Sequence, residues 1–401
     1  MKIAVLTFWW GDDNYGQLLQ CFALQHYLRN LGHDAYLVRY KPSSRDDLQL
    51  CHTDFIIDKL KKLLKFFNPY YLFVQRKRII EKNTREHELS KVNRIANKVR
   101  DFDKFRKDYL QMSDVLYESI EELRNNPPIA DVYICGSDQI WHDSLSLPNI
   151  AGWFLQFGSN EIRRVSYAAS LGRNIEPFEE NTFTRYLDRF DAISLREQTA
   201  CDFCRSKGYV KSTVVCDPSF LLAADYYKRT FGVSDSQDSK PYVLFYTLNI
   251  RSKEEIFADM VIEECSIKGW GVKSVGSSGY YTARNIIPGV DNIPATIPQW
   301  IQLISESRLV VTTSFHGTVF SILMHRPFIT VLLQGQFAKA NDRIIGLLEI
   351  LGLYDRIAYV ESDISAIINR QINWEEIDKK ILMYSSSGKS FLNKYVLCND
   401  F

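Results

Sequence analysis

Apolar runs and polar breaks alternate along this chain in a way that predicts short buried strands, each followed by a turn and a helix. Lys2 to Thr7 forms one apolar run, and Phe8 to Gly16 is the loop after it. From Gln17 to Leu31, the residues Leu18, Leu19, Phe22, Ala23, Leu24, Tyr27 and Leu28 recur at close to the helical period, and Gly32 stops the helix. Ala35 to Tyr40 is the next apolar run. Strand, helix and strand in immediate succession make a βαβ unit and therefore a parallel sheet, whose ligands gather at the carboxyl ends of the strands.

The pattern then repeats with a consistent chemistry at the strand ends. Ala130–Cys135 runs into Gly136, Ser137, Asp138 and Gln139. Arg164–Ala169 runs into Ser170, Leu171 and Gly172, and Ala192–Leu195 into Arg196 and Glu197. Small and charged residues there would be costly in a core, so one convergent site explains them together. Val214–Cys216 leads to the turn Asp217-Pro218-Ser219, and Gly232–Lys240 has linker composition. A second series follows: strands at Pro241–Tyr246, Val272–Gly276, Leu309–Thr312 and Phe328–Leu332, with helices at Pro298–Glu306 and Asn341–Leu351. The expectation is two α/β domains, 1–230 and 241–375, with a C-terminal helix over 376–401 that packs back on the first.

One stretch breaks the rhythm. From about 53 to 125 the pattern is helical and basic, with Lys61, Lys62, Lys65, Arg76, Lys77, Arg78, Arg94, Lys98, Arg100, Arg106 and Lys107 beside Phe66, Phe67, Tyr70, Tyr71 and Phe73. It reads as an insertion of solvated helices packed on the first domain. The alternative is a peripheral contact with anionic lipid headgroups or phosphorylated lipid carriers.

Bulk numbers fit this organisation. A length of 401 residues suits two cores. With 49 Lys and Arg against 48 Asp and Glu, no charge excess points to nucleic acid. No apolar run approaches the roughly 20 residues that span a bilayer, and Met1–Leu6 reads as a strand rather than a leader. The scattered cysteines suit reduced thiols and a cytoplasmic setting, at or near the inner face of a membrane if the insertion binds lipid. Cys201 and Cys204 form a lone CxxC with no second pair, spaced to lie on one helix side in the core rather than to hold a metal.

The most chemical segment is Leu309–Leu323. A strand enters the small-residue turn Thr313-Ser314-Phe315-His316-Gly317, and an apolar helix starts at once. Such a turn aims backbone N–H groups and the positive helix end at an anion. Ser314 suits the N-cap, Gly317 lets a ligand near the backbone, and His316 can exchange a proton near neutral pH. A capping Ser314 with a hydrogen-bonded core His316 explains the spacing equally well. His142 and His325 read as structural. Trp9, Trp10 and Tyr15 read as core aromatics, with a sugar platform as the alternative.

Six segments in order carry a family resemblance. They are Asn14-Tyr15-Gly16, Gly136-Ser137-Asp138-Gln139 with Trp141, Ser166–Gly172, Leu195-Arg196-Glu197, Asp217-Pro218, and Thr313-Ser314-Phe315-His316-Gly317. Together they resemble the polysaccharide pyruvyl transferase family, from about Lys2 to Leu353. The resemblance implies two Rossmann-like domains facing across a cleft, similar to glycosyltransferases of the GT-B type. It also implies transfer of pyruvate from phosphoenolpyruvate to a sugar or lipid-linked oligosaccharide acceptor, as a cyclic ketal, in cell-surface polysaccharide synthesis. Family members often carry Arg-Leu-His-Gly where this chain has Ser314-Phe315-His316-Gly317, so another cation, Arg196 or Arg343, must hold the donor.

On this reading His316 is the general acid/base, and Asp138 accepts a sugar proton or binds the hydroxyl. Arg196, Arg343 and the turn Ser314, Phe315 and Gly317 bind the donor. Asn14, Tyr15, Gly16, Ser137, Gln139 and Ser170 serve the acceptor. The scheme requires no metal or organic cofactor. A nucleotide-sugar glycosyltransferase and a non-catalytic carbohydrate-binding protein are the competing readings.

Overall fold

The computed structural model describes residues 1–42, 95–147, 149–234, 240–250, 252–276, 287–290 and 292–398. In the first domain β1 (Lys2–Leu6) leads to α1 (Tyr15–Asn30) and β2 (Asp34–Tyr40). Asn14 caps α1, its side chain accepting from the Gln17 amide, and α1 lays Leu18, Leu19, Phe22 and Leu28 into the core. Next come α2 (Phe102–Tyr109), β3 (Met112–Tyr117), β4 (Val132–Cys135), β5 (Arg163–Ala169), β6 (Ala192–Leu195), α3 (Gln198–Ser206) and β7 (Thr213–Val214). All seven strands pair in parallel in the order β3-β2-β1-β4-β5-β6-β7.

The second domain contributes β8 (Tyr242–Thr247), β9 (Gly271–Gly276), α4 (Ile297–Glu306), β10 (Leu309–Thr312), α5 (Phe315–Leu323), β11 (Phe328–Val331), α6 (Asp342–Leu351) and β12 (Ile357–Ala358). These strands form a parallel sheet in the order β12-β11-β10-β8-β9. The helix α7 (Trp374–Leu392) follows and reaches the first domain, where Phe391 lies 6.3 Å from Tyr167 and Tyr384 lies 5.6 Å from Phe220, centroid to centroid. One apolar cluster runs through both Rossmann-like halves, and each half has a further cluster of its own. At their junction Tyr15 stacks on Trp300 at 5.2 Å and donates its hydroxyl to the Ala295 carbonyl.

Each sheet reverses its winding once, the first between β1 and β4, the second between β8 and β10. At such a switch the loops diverge and leave a crevice at the carboxyl ends of the strands. Both crevices open on the same space.

Within the stretch expected to be a helical insertion, Met112–Tyr117 is instead the edge strand β3. It pairs on one side only and leaves Val115 and Leu116 exposed, so it shows neither a buried run nor a clean alternation. Residues 43–94, which hold most of the basic cluster, lie outside the described residues. Of the rest, Arg100 and Arg106 turn inward. Arg100 bridges the domains by donating to the Gly276 carbonyl, and Arg106 binds Asp12, Asp103 and the Gly11 carbonyl. Lys98 and Lys107 are exposed. Among the described residues no helix is long and apolar enough to cross a membrane.

Glu179 ties the turn after β5 to the loop near Leu145. It pairs with Arg173 at 2.6 Å and accepts from the Leu145 and Glu176 amides. Burial opposes its ionisation, but Arg173 and these amides outweigh that and hold its pKa down to about 2. A carboxyl depressed in the fold stabilises it above the unfolded-state pKa near 4.5 and loses that effect as pH falls toward 2. Unfolding free energy should therefore drop across this window by roughly 3 kcal/mol at most from this group. Denaturant titrations at stepped pH should show a shallower acid limb in Glu179→Gln.

Candidate functional site

The shared space is a cavity of about 470 Å³. The loops after β1 and β4 bring Asn14, Asp138, Gln139 and His142 to it; those after β8 and β10 bring Asn249, Ser314, Phe315 and His316; and α6 adds Arg343.

The turn after β10 is locked by its own threonines. Thr312 Oγ1 donates to the Tyr246 carbonyl at 2.6 Å and accepts from the Ser314 amide, while Thr313 Oγ1 bonds both backbone groups of Leu248. Ser314 caps α5, accepting from the Gly317 amide at 3.3 Å. His316 thus sits in the first turn of a rigid helix, 6 % exposed, at the cavity wall. Gly16, at the start of α1, makes its position available, because a Cβ there would overlap the imidazole. Gly16→Ala should displace the ring and cost about 1–3 kcal/mol as overpacking. Thermal denaturation tests this.

Behind the ring lies Asp217, fully buried, with Oδ2 3.7 Å from His316 Nε2. That separation is electrostatic rather than a hydrogen bond. The same oxygen accepts from Arg196 Nη1 at 2.9 Å and from Ser137 Oγ at 3.0 Å, and Oδ1 accepts from the Ser219 amide. Burial works against ionisation here, yet His316 and Arg196 hold the carboxyl well below the usual carboxylate range.

Two guanidinium groups border the ring of Phe315, Arg196 at 4.8 Å and Arg343 at 5.5 Å from its centroid. Each also stands 3.9 Å from Asp138 Oδ1, too far for a hydrogen bond. Burial and the neighbouring Arg196 pull the Arg343 pKa down to about 10, so it stays charged at neutral pH. Nε of Arg343, Nε and Nη2 of Arg196 and Nε2 of His316 are buried without a hydrogen-bond partner among the described residues. Unpaired polar groups gathered here are unusual in a finished core; the Arg343 guanidinium borders the cavity and suits an incoming anion, while Arg196 lies beneath it and His316 Nε2 faces Asp217. Among the described residues, no three His, Cys, Asp or Glu side chains converge as a metal cluster.

The sequence-derived residues separate into a lining and a support. His316, Asp138, Arg343, Ser314, Phe315, Asn14 and Gln139 line the cavity. Arg196 lies beneath it, with a side chain only 1 % exposed. Tyr15 is spent on the domain junction, Gly16 on seating His316, and Ser137 on Asp217. At Gly317 the missing Cβ leaves room for Thr312 and Tyr246. Ser170 donates to Glu197 and lines an adjoining cavity. Cys201 and Cys204 are buried free thiols on α3. His325 pairs with Asp378 and stacks on Trp374, away from the site. His142, read as structural, is at the cavity wall. Asp217 stood out in the sequence as a turn and as part of the Asp217-Pro218 segment of the family resemblance, with no sign of its place behind His316.

A family model described as polysaccharide pyruvyl transferase matches residues 14–333. No curated protein matches the chain by sequence. Solved structures with a similar course include a putative UDP-N-acetylglucosamine 2-epimerase from Listeria monocytogenes, 10% identical, covering 100% of this chain and 98% of that one, with a TM-score of 0.49. Another is the UDP-GlcNAc 2-epimerase of Methanocaldococcus jannaschii in complex with UDP-GlcNAc and UDP, also 10% identical, covering 99% and 100% of the two chains, with a TM-score of 0.49.

Proposed function

The chain belongs to the polysaccharide pyruvyl transferase family, and from that premise we propose that it moves pyruvate from phosphoenolpyruvate onto a sugar of a cell-surface polysaccharide precursor, forming a cyclic ketal. The observation that carries this reading is the set of unpaired buried groups on Arg196, Arg343 and His316, gathered where both sheets switch direction. Phosphoenolpyruvate presents a carboxylate and a phosphate, two anions for two guanidiniums. Arg343 supplies the charge at the cavity wall that Ser314 lacks. Arg196, anchored on Asp217, adds field from below.

The reaction then needs one proton delivered and two removed. His316 gives a proton to the methylene carbon, and the adjoining carbon gains cationic character. A first sugar hydroxyl bonds to that carbon, its proton passing to Asp138 or back to the imidazole. The carbon–oxygen bond to phosphate breaks, and the second hydroxyl closes the ring as its proton leaves with inorganic phosphate. Asp217, fixed by Arg196, Ser137 and Ser219, keeps the ring oriented through these steps. Burial of Arg343 and His316 strengthens their effect on developing charge.

Incubation with phosphoenolpyruvate and candidate lipid-linked saccharides tests the proposal. The expected result is stoichiometric phosphate release and a product heavier by pyruvate less one water. Phosphate release without that mass gain would contradict it.

A further inference from the structure

We propose that the cavity adjoining the donor site binds a neutral polyhydroxylated ring, with Glu197 as the group that accepts its hydroxyl. This space, about 320 Å³, shares Gly172, Ala340 and Arg343 with the larger cavity, so a ligand in one lies beside a ligand in the other. Glu197 lines it and is 7 % exposed.

The two oxygens of Glu197 are unlike. Oε1 accepts from Ser170 Oγ at 2.9 Å, the Leu171 amide at 2.8 Å and the Gly172 amide at 3.4 Å. Oε2 is buried and has no hydrogen-bond partner among the described residues. Three donors on one oxygen fix the carboxylate, and the other oxygen is left as an immobile acceptor without a hydrogen bond, supported by the charges of Arg196 and Arg343 nearby. A ligand that brings an O–H or N–H donor repairs this.

The rest of the wall narrows the class. Arg343, Lys339 and Arg173 border the same space and disfavour a cationic donor, with Asp342 as a second acid beside Glu197. The carboxylate itself disfavours an anion. Phe203, Leu171 and Ile175 offer apolar surface to C–H groups. Hydroxyls on a carbon ring satisfy all three conditions, as a pyranoside does. The assignment rests on the pyruvyl-transfer reading, which it extends by placing the acceptor.

Saturation-transfer NMR with the methyl glycosides of glucose, galactose and mannose tests it, run on the full chain, on Glu197→Gln and on Thr199→Trp. Glutamine keeps an oxygen for the three fixed donors but turns the free position from acceptor to donor. Thr199 is exposed at the lip of the cavity, so tryptophan there narrows it without entering the core. At least one glycoside should give transfer that falls by about fivefold or more in both variants, as expected for loss of a hydrogen bond to a charged group. Phosphoenolpyruvate binding, followed by calorimetry, should persist in both variants. Undiminished transfer in a folded Glu197→Gln, or no transfer to a wild-type chain that binds phosphoenolpyruvate, overturns the assignment. Glu197-dependent transfer without phosphoenolpyruvate binding would uphold this site and remove the donor reading instead.

Discussion

Replacing His316 with glutamine is expected to lower turnover by about 10²–10⁴-fold while phosphoenolpyruvate still binds within a few-fold of the native affinity. Glutamine can hydrogen-bond from the first turn of α5, but it cannot take up and return a proton. The donor's anions would still meet Arg343 at the cavity wall and the field of Arg196 beneath it, so the loss should fall on the chemical step. Continuous phosphate release with excess acceptor, beside calorimetric binding of the donor, separates the two effects. Turnover within threefold or so of native would remove His316 from the proton transfers. The fold should hold, because His316 Nε2 makes no hydrogen bond that glutamine would break.

Asp217→Asn should produce the largest stability change, about 3–5 kcal/mol, because it removes the carboxylate that is hydrogen-bonded to the buried Arg196. Asparagine fills the same volume and can keep its oxygen on the Ser219 amide, so the loss is one of charge rather than packing. Asp138, 3.9 Å from Arg196, is too distant to replace a 2.9 Å pair. The sign with pH follows from the lowered carboxyl pKa. Its stabilisation is complete above the ordinary carboxylate range and is lost as acid protonates the folded form. Urea unfolding at neutral pH and near pH 2, well below the unfolded-state carboxyl pKa of 3.8, should therefore show the mutant's deficit shrinking in acid. An equal deficit at both values would mean that packing, not charge, carries the effect.

Much of the fold was legible because burial leaves a plain mark on sequence. Parallel strands covered on both faces, such as Val132–Cys135 and Leu309–Val311, read as unbroken apolar runs. The small and charged residues after them stood out for the same reason. Elements without that mark were missed: β3 is half exposed, and β12 has two residues. The site was legible at Asp138, His316 and Arg343, whose residue types are expensive beside a core. The division between lining and support was not. Whether Tyr15 meets a ligand or Trp300, and whether Gly317 admits a substrate or Thr312, depends on elements hundreds of residues apart or on a neighbouring strand. No local pattern encodes such pairings. Glu197 illustrates this too, since its role follows from which of its oxygens the turn at Ser170 occupies.

Titration of the chain with phosphoenolpyruvate, against a nucleotide sugar and with Arg343→Ala in parallel, tests the cleft most directly. One equivalent of phosphoenolpyruvate should bind and raise the melting temperature. The nucleotide sugar should not, and Arg343→Ala should weaken donor binding by tenfold or more, about 1.4 kcal/mol. Stabilisation by the nucleotide sugar alone, or donor affinity untouched by loss of Arg343, would contradict the account.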